Sequence, residues 1–373
     1  MGKVTWKGGT ALLLLLMAVG LAACGAPVLD AGWGAFAADA PHVYAGLGGK
    51  FLAIKPEAAA TPAWTFVPKD EKGNAGSLGG FYAMPVLTPD LVIFAASARQ
   101  GSNPQTEQVF ALDRETGEQR WSFPVQGAVV GEPAVYGNTV YVTSADQNVY
   151  AHDLVSGATK VLFTAAGPIW GSVALDGGRL YFGSMAHEVY AIDANGQQVW
   201  PKPFQTEGAV AGTPAVGGGR VFVGDLTGRV YALDAQTGQP VWSEPFRAGN
   251  WIWGQPVLAG DTLYVPSLDG NVYALDAATG VEKPEWRIKT GGAVRAGPTL
   301  AGGVLYVASE DRQLYAVDTN THQFKWSPFK TEGALLTSPV VVGDTVYVTT
   351  SDGKVYRIDA ASGNGRLLYP QPK

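Results

Sequence analysis

In Thr213-Pro214-Ala215-Val216, Gly217-Gly218-Gly219, Arg220-Val221-Phe222-Val223-Gly224, Thr227-Gly228, Arg229-Val230-Tyr231-Ala232-Leu233, Asp234-Ala235-Gln236-Thr237-Gly238 and Pro240-Val241-Trp242-Ser243, short apolar runs alternate with turns. The second run alternates with the two-residue period of a half-buried strand. Gly217 to Gly219, Thr227-Gly228 and Asp234 to Gly238 carry turn chemistry. The stretch predicts four antiparallel strands, A to D.

The unit recurs along the chain. An aromatic-Ala-apolar-Asp tetrapeptide appears as Phe110-Ala111-Leu112-Asp113, Tyr150-Ala151-His152-Asp153 and Tyr190-Ala191-Ile192-Asp193, and in variant form as Tyr356-Arg357-Ile358-Asp359. The Asp positions 113, 153, 193, 234, 276, 318 and 359 lie 40 to 42 residues apart. A degenerate eighth copy, Phe51-Leu52-Ala53-Ile54, has Lys55 where the others have Asp. A four-stranded unit of ~40–45 residues is the mark of a β-propeller blade. The expected fold is all-β, an eight-bladed propeller of four-stranded antiparallel blades spanning residues 42–370. A seven-bladed ring would require one unit to be discarded, and none is dispensable. The first unit is incomplete, with strands at 42–46, 51–54 and 63–66. Its strand A is either Pro27-Val28-Leu29 or missing.

Two residue types repeat with the blades. Strand D carries Trp64, Trp121, Trp200, Trp242, Trp286 and Trp326. Asp113, Asp234 and Asp276 each open an Asp-x-x-Thr-Gly turn. A carboxylate there can accept backbone N–H groups of its own turn, and a Trp can cover the face of the next blade. Residues needed in every copy are architectural. Blade 3 has Val161-Leu162-Phe163 in place of the Trp and blade 8 has Leu367-Leu368-Tyr369, so those seams are expected to be weaker.

Of 373 residues, 46% are hydrophobic and 16% charged, which excludes a disordered chain; 49 Gly and 24 Pro fit many short strands and turns. Net charge is −6 with no basic run, which argues against nucleic acid as a partner. The single cysteine excludes a disulfide framework and cysteine-based metal sites. Histidines 42, 152, 187 and 322 have no metal-ligand spacing, and His152 reads as packed within strand C.

The start of the chain reads as an address. Lys3 and Lys7 precede an apolar run from Ala11 to Leu21, and Ala22 and Ala23 precede Cys24. That order is a signal peptide, residues 1–23, too short for a comfortable membrane span. Leu21-Ala22-Ala23-Cys24 resembles the bacterial lipobox, which implies lipidation at Cys24 and residues 24–41 as an anchored N-terminal segment. The expected location is the periplasmic face of an outer membrane, or the outer face of the plasma membrane in a one-membrane bacterium.

The Trp and Asp-x-x-Thr-Gly pattern resembles the PQQ-type β-propeller repeat family. With the lipobox and eight repeats, it is similar to the BamB-like lipoproteins of the outer-membrane β-barrel assembly machine. The wider family holds both quinoprotein dehydrogenases and non-enzymatic scaffolds, so fold does not settle function. By that resemblance a dehydrogenase would carry an adjacent cysteine pair, calcium ligands and an Asp base. This chain has no second cysteine and no long insertions, so no catalytic residue, metal or PQQ is expected.

The expected function is therefore a monomeric, membrane-anchored scaffold binding envelope or membrane protein segments. A PQQ-binding or PQQ-dependent oxidoreductase and an envelope receptor for a sugar or small ligand are the alternatives. Strand alternation puts the D-to-A and B-to-C loops on one face. Two or three residues before the strand-A proline position stand Tyr82, Val130, Trp170, Ala211, Trp253, Arg295 and Leu336, expected to ring the channel mouth as exposed residues. Tyr82, Trp170, Trp251, Trp253 and Arg295 are the candidate binding residues, since Trp, Tyr and Arg are favoured in hot spots. The preceding position, Phe81, Val129, Ile169, Val210, Ile252, Val294 and Leu335, is apolar throughout and expected to be buried. Blade 2 is expected to overhang this face with long loops at 68–80 and 97–108, the first carrying Lys69, Asp70, Glu71 and Lys72.

Overall fold

A computed structural model describes residues 35–57, 61–69, 73, 75–99 and 106–370. Cys24 and the signal region lie outside the described residues, as do Asp70, Glu71 and Lys72. The chain forms eight antiparallel sheets, seven of four strands and one of five, each made of strands consecutive in sequence. Strands A of blades 3 to 8 (Ala134–Tyr136, Ala174–Asp176, Ala215–Gly217, Val257–Ala259, Thr299–Ala301 and Val340–Val342) touch in succession, and that of blade 8 touches Phe36–Ala38 of blade 1. The fold is the eight-bladed propeller, and a seven-bladed ring is excluded.

Blade 1 is complete. Its strand A is Phe36–Ala38, paired with Val43–Leu47, so the ring starts six residues before the expected boundary at 42. The alternative strand, Pro27-Val28-Leu29, lies outside the described residues. Three residues are enough here because strand A needs only to cover the channel wall: Phe36 is fully buried against Tyr347, Val355 and Leu368 of blade 8. Arg357 Nη1 donates to Glu57 Oε1 at 2.7 Å across the same seam. Among the described residues no strand crosses it.

Blade 2 differs from the loops expected at 68–80 and 97–108. Strand A is split: Ser77–Gly79 and Val86–Leu87 both pair with the long strand B, Leu91–Arg99. Strand C, Thr106–Asp113, continues the ladder to Ala98, so much of the expected overhang is a taller hairpin. Phe51 and Phe94 stack at 3.8 Å between blades 1 and 2.

The outer strands of blades 4 to 7 are two residues long, Phe204–Gln205, Phe246–Arg247, Ile288–Lys289 and Phe329–Lys330. In blade 5, residues 240–243 form no continuous strand: Pro240 makes one bridge to Leu233, and pairing resumes at Phe246–Arg247. Proline offers no N–H to a ladder, and Pro240 and Pro245 stand within this edge.

The interruption leaves Trp242 free to dock. Its indole Nε1 donates to Ala277 O of blade 6 at 3.1 Å, and Trp64, Trp200 and Trp326 make the same bond to Arg114, Ala235 and Ala360. Each ring lies on the turn glycine of the next blade: a Cβ on Gly280 would come 2.6 Å from Trp242. In two seams a histidine replaces that fit. Trp121 packs on His152 at 4.1 Å, and Trp286 stacks on His322 at 3.7 Å. The Trp-less blade 3 fills its seam with Phe163, edge-on to Phe182 and Tyr190 at 5.8 and 5.3 Å. The repeated carboxylates close their turns as expected: Asp234 Oδ1 accepts from Gln236 N, Thr237 N and Thr237 Oγ1 at 2.8–3.0 Å. Asp113 and Asp276 do the same, and Arg120 first, with Thr116 N–H, holds the Asp113 pKa down to about 2.

Candidate functional site: the channel mouth

The apolar position before each rim residue is buried in all seven copies. Phe81, Val210 and Ile252 sit where a Cβ on Gly46, Gly183 or Gly224 of the preceding blade would clash. The backbone follows: Val210 N donates to Ser184 O and Ile252 N to Asp225 O, each at 3.1 Å. A repeated tyrosine, read in the sequence only as part of a marker, fixes the same loops. Tyr231 OH donates to Asp225 Oδ2 at 3.0 Å and accepts from Glu207 N at 3.0 Å; Tyr273 does likewise with Asp269 and Gly249 N at 2.6 and 3.1 Å. The B-to-C turn and the D-to-A loop are thereby tied together on one face.

So held, Tyr82, Val130, Trp170, Ala211, Trp253, Arg295 and Leu336 all line one cavity of about 470 Å³ at the ring axis. Their exposure departs from expectation. Trp170, at 7%, Ala211 and Leu336 are buried, while Tyr82, Val130, Trp253 and Arg295 are partly exposed. The reason is the closeness of the loops. A Cβ on Gly171 would come 2.6 Å from Gly212 O and one on Gly212 2.5 Å from Trp253 O, so neighbouring backbones touch. That brings Trp253 to 5.7 Å from Trp170. Arg295 lies over the Trp253 ring at 5.3 Å, and its Nε donates to Glu310 Oε1 at 3.0 Å. Trp251 is placed apart from these four. It is 47% exposed, outside the cavity wall, with Leu268 N donating to its carbonyl at 3.0 Å.

Two residues deeper runs a second ring: Met84, Glu132, Ser172, Thr213, Gln255, Gly297 and Ser338. Sequence reasoning missed it, although Glu132 is the one charge in a triplet otherwise filled by small or neutral residues. Glu132 is itself exposed to the lumen, and the mass of protein around the channel raises its pKa to about 7 by desolvation alone. Behind the rim, Glu107 is also raised to about 7 by burial, against bonds from Ser97 Oγ at 2.6 Å and Val129 N at 3.3 Å.

Among the described residues no three His, Cys, Asp or Glu side chains converge as a metal site would require. The donor set at the axis does not fit a calcium-bound quinone, since Glu132 is the one acidic side chain on the wall and the one cysteine of the chain is Cys24.

Eight antiparallel blades around an open axis, six of them with a docking Trp on the outer segment, define a PQQ-type β-propeller. The family model described as outer membrane protein assembly factor BamB matches residues 61–163, 160–250 and 227–373, and the chain belongs to that family. Among solved structures, BamB from Moraxella catarrhalis matches with a TM-score of 0.65 at 19% identity, over 86% of this chain and 95% of that one. The computationally designed Ika8 protein matches with a TM-score of 0.66 at 17% identity, over 81% and 89%. Both likenesses concern the fold. A search of curated protein sequences finds no match.

Proposed function

We propose that the protein is a non-enzymatic scaffold of the bacterial cell envelope, held to a membrane through a lipid on Cys24, that binds segments of envelope or membrane proteins at the channel mouth. The observation that carries this reading is the chain of contacts Trp170–Trp253–Arg295–Glu310: aromatic and guanidinium surface preset in one geometry, at a rim position whose residue changes from blade to blade. Such groups bind without a large ordering cost, because their rotamers are already fixed. The family, whose name refers to outer membrane protein assembly, supports a protein partner. Loops carried on a rigid frame are where such binding concentrates. In the envelope of a two-membrane bacterium the anchor would place the ring in the periplasm.

The test is recovery of the lipidated protein from membranes with its partners. Wild type and Trp253→Ala are isolated in parallel and the co-purifying proteins identified by mass spectrometry. The reading expects a defined set of envelope proteins that falls away in the variant. An identical set from both, or none from either, refutes it.

A further inference from the structure

Strand A of blade 1, Phe36–Ala38, stands at the ring axis and touches strand A of blade 8. Its two ends lie on opposite faces. Ala38 pairs with Val43 beside the A-to-B turn, whereas Phe36 pairs with Ala45 and Ala35 O accepts from Gly46 N at 3.1 Å. Gly46 belongs to the mouth face, because a Cβ on it would come 2.3 Å from Phe81, the residue before Tyr82 of the rim. In blades 2 to 8 the chain reaches this place from strand D of the preceding blade. In blade 1 it comes from Cys24, and eleven residue steps separate Cys24 from Ala35. Eleven steps span at most about 36–40 Å.

We propose that the channel mouth is the membrane-facing side of the ring, and that the segments it takes belong to membrane proteins and are presented at the membrane surface. This rests on the reading of Cys24 as the lipid anchor and of the mouth as the binding face. Reach decides between the two faces. With the mouth toward the membrane, the whole length from Cys24 to Ala35 is available as clearance between ring and bilayer. With the opposite face toward the membrane, that length would first cross a blade from strand A to strand D, about 14 Å over three strand spacings. It would then run down the blade, about 17 Å for a five-residue strand such as Val43–Leu47. About 31 Å would be used before the bilayer is met, and a chain pulled that close to full extension loses its conformational freedom. The mouth side needs no detour. The C-to-D turns, with a carboxylate in each of blades 2 to 8, then face away from the bilayer. A segment docked at the Trp253–Arg295 pair would lie within the tether's reach of the surface, where the parts of membrane proteins that leave the bilayer are found.

The test uses the lipidated full chain in phosphatidylcholine vesicles that carry an acceptor dye on the lipid headgroup. A donor dye is attached at Gln126→Cys, exposed in the D-to-A loop after blade 2, or at Gln236→Cys, exposed in the C-to-D turn of blade 5. Lipidation occupies the Cys24 sulfur, so each variant takes one label. Thermal melts show that both are folded. Energy transfer from Gln126→Cys should exceed that from Gln236→Cys about twofold, the two faces lying about 17 Å apart along the axis. A Gly-Ser linker of about twenty residues inserted after Asp30 should bring the two efficiencies together, because reach then no longer selects a face. Equal or reversed transfer without the linker overturns the proposal. So does a difference that the linker leaves intact, since the face itself and not the tether would then set the orientation. Flotation with the vesicles separates the readings. A protein that floats but transfers equally from both sites keeps its anchor and loses its orientation, whereas one that does not float loses both. The partners that fall away in Trp253→Ala should be membrane proteins; a set made only of soluble envelope proteins overturns the assignment of the segments and leaves the binding face standing.

Discussion

The guanidinium of Arg295 lies over the ring of Trp253 at 5.3 Å while its Nε is bonded to Glu310. A guanidinium held on one side by a carboxylate and on the other by an indole has little rotamer freedom left. It presents charge and donors in a fixed direction. The pairing joins blades 5, 6 and 7 at the mouth, so a change in any of its members is felt by its neighbours.

Trp253→Ala and Arg295→Ala are therefore expected to separate binding from stability. Loss of Trp253 removes a partly exposed ring in contact with Trp170, at a cost of about 1 kcal/mol to folding. Arg295→Ala should cost less than about 1 kcal/mol, as for a partly exposed ion pair. Each should weaken binding of a recovered partner by about 2 kcal/mol or more. Thermal melts and binding isotherms on both variants check this. A variant that melts much earlier yet binds normally would make Trp253 a core cap.

Trp242→Ala should be severe. The ring is 5% exposed, lies on Gly280 and donates to Ala277 O. Removing it leaves a cavity and an orphan carbonyl, about 3–5 kcal/mol. Trp121, partly exposed in its seam, should cost less. Urea unfolding of the two variants measures the difference.

His322 offers a test of backbone against side chain. It has φ 58° where the equivalent Gly238 and Gly280 have 72° and 77°. His322→Ala keeps the left-handed backbone penalty and loses the stack on Trp286, about 1–2 kcal/mol in all. His322→Gly also loses the stack but relieves the backbone, and should unfold later than the alanine variant. The reverse order in a melt would show that the backbone contributes nothing here.

Stability should depend on pH through Glu132. Its folded pKa, about 7, is above the ordinary carboxylate value, so the folded state favours the protonated form. That stabilisation is full below about pH 4 and is lost as pH rises through 7. Glu132→Gln should thus melt later than wild type at pH 8, by about 1 kcal/mol after allowance for the open lumen, and no later at pH 4. Melts at the two pH values check the crossover.

Cys24→Ser should leave a folded ring that no longer partitions into detergent. Phase separation of processed wild type and variant reads this directly. Equal partitioning would show that Cys24 carries no anchor.

Much of the frame was legible because each seam needs the same chemistry. Asp234 and Trp242 recur with the blades, and repetition exposes them. What failed to show were the places without repetition. Phe36–Ala38 is three residues long and lies in an alanine-rich stretch. The split of strand A in blade 2 depends on a partner strand grown to nine residues, which alternation alone does not reveal. The mouth position was visible by alignment, but the burial of Trp170 was not, because it follows from backbone contact between Gly171, Gly212 and the loop of Trp253. Glu132 hid for the opposite reason: one charged residue in an otherwise bland column carries no pattern.

Blade 8 and blade 1 each complete themselves, and among the described residues side chains such as Phe36, Leu368, Arg357 and Glu57 join them. The first and last blades thus meet at a joint of the same kind as the other seven. Topologically, the described ring is a circle cut between two blades. A circular permutant that links residues 370 and 35 and opens at the exposed Gly302-Gly303 turn would exchange one cut for another and leave every hydrogen-bonded ladder whole.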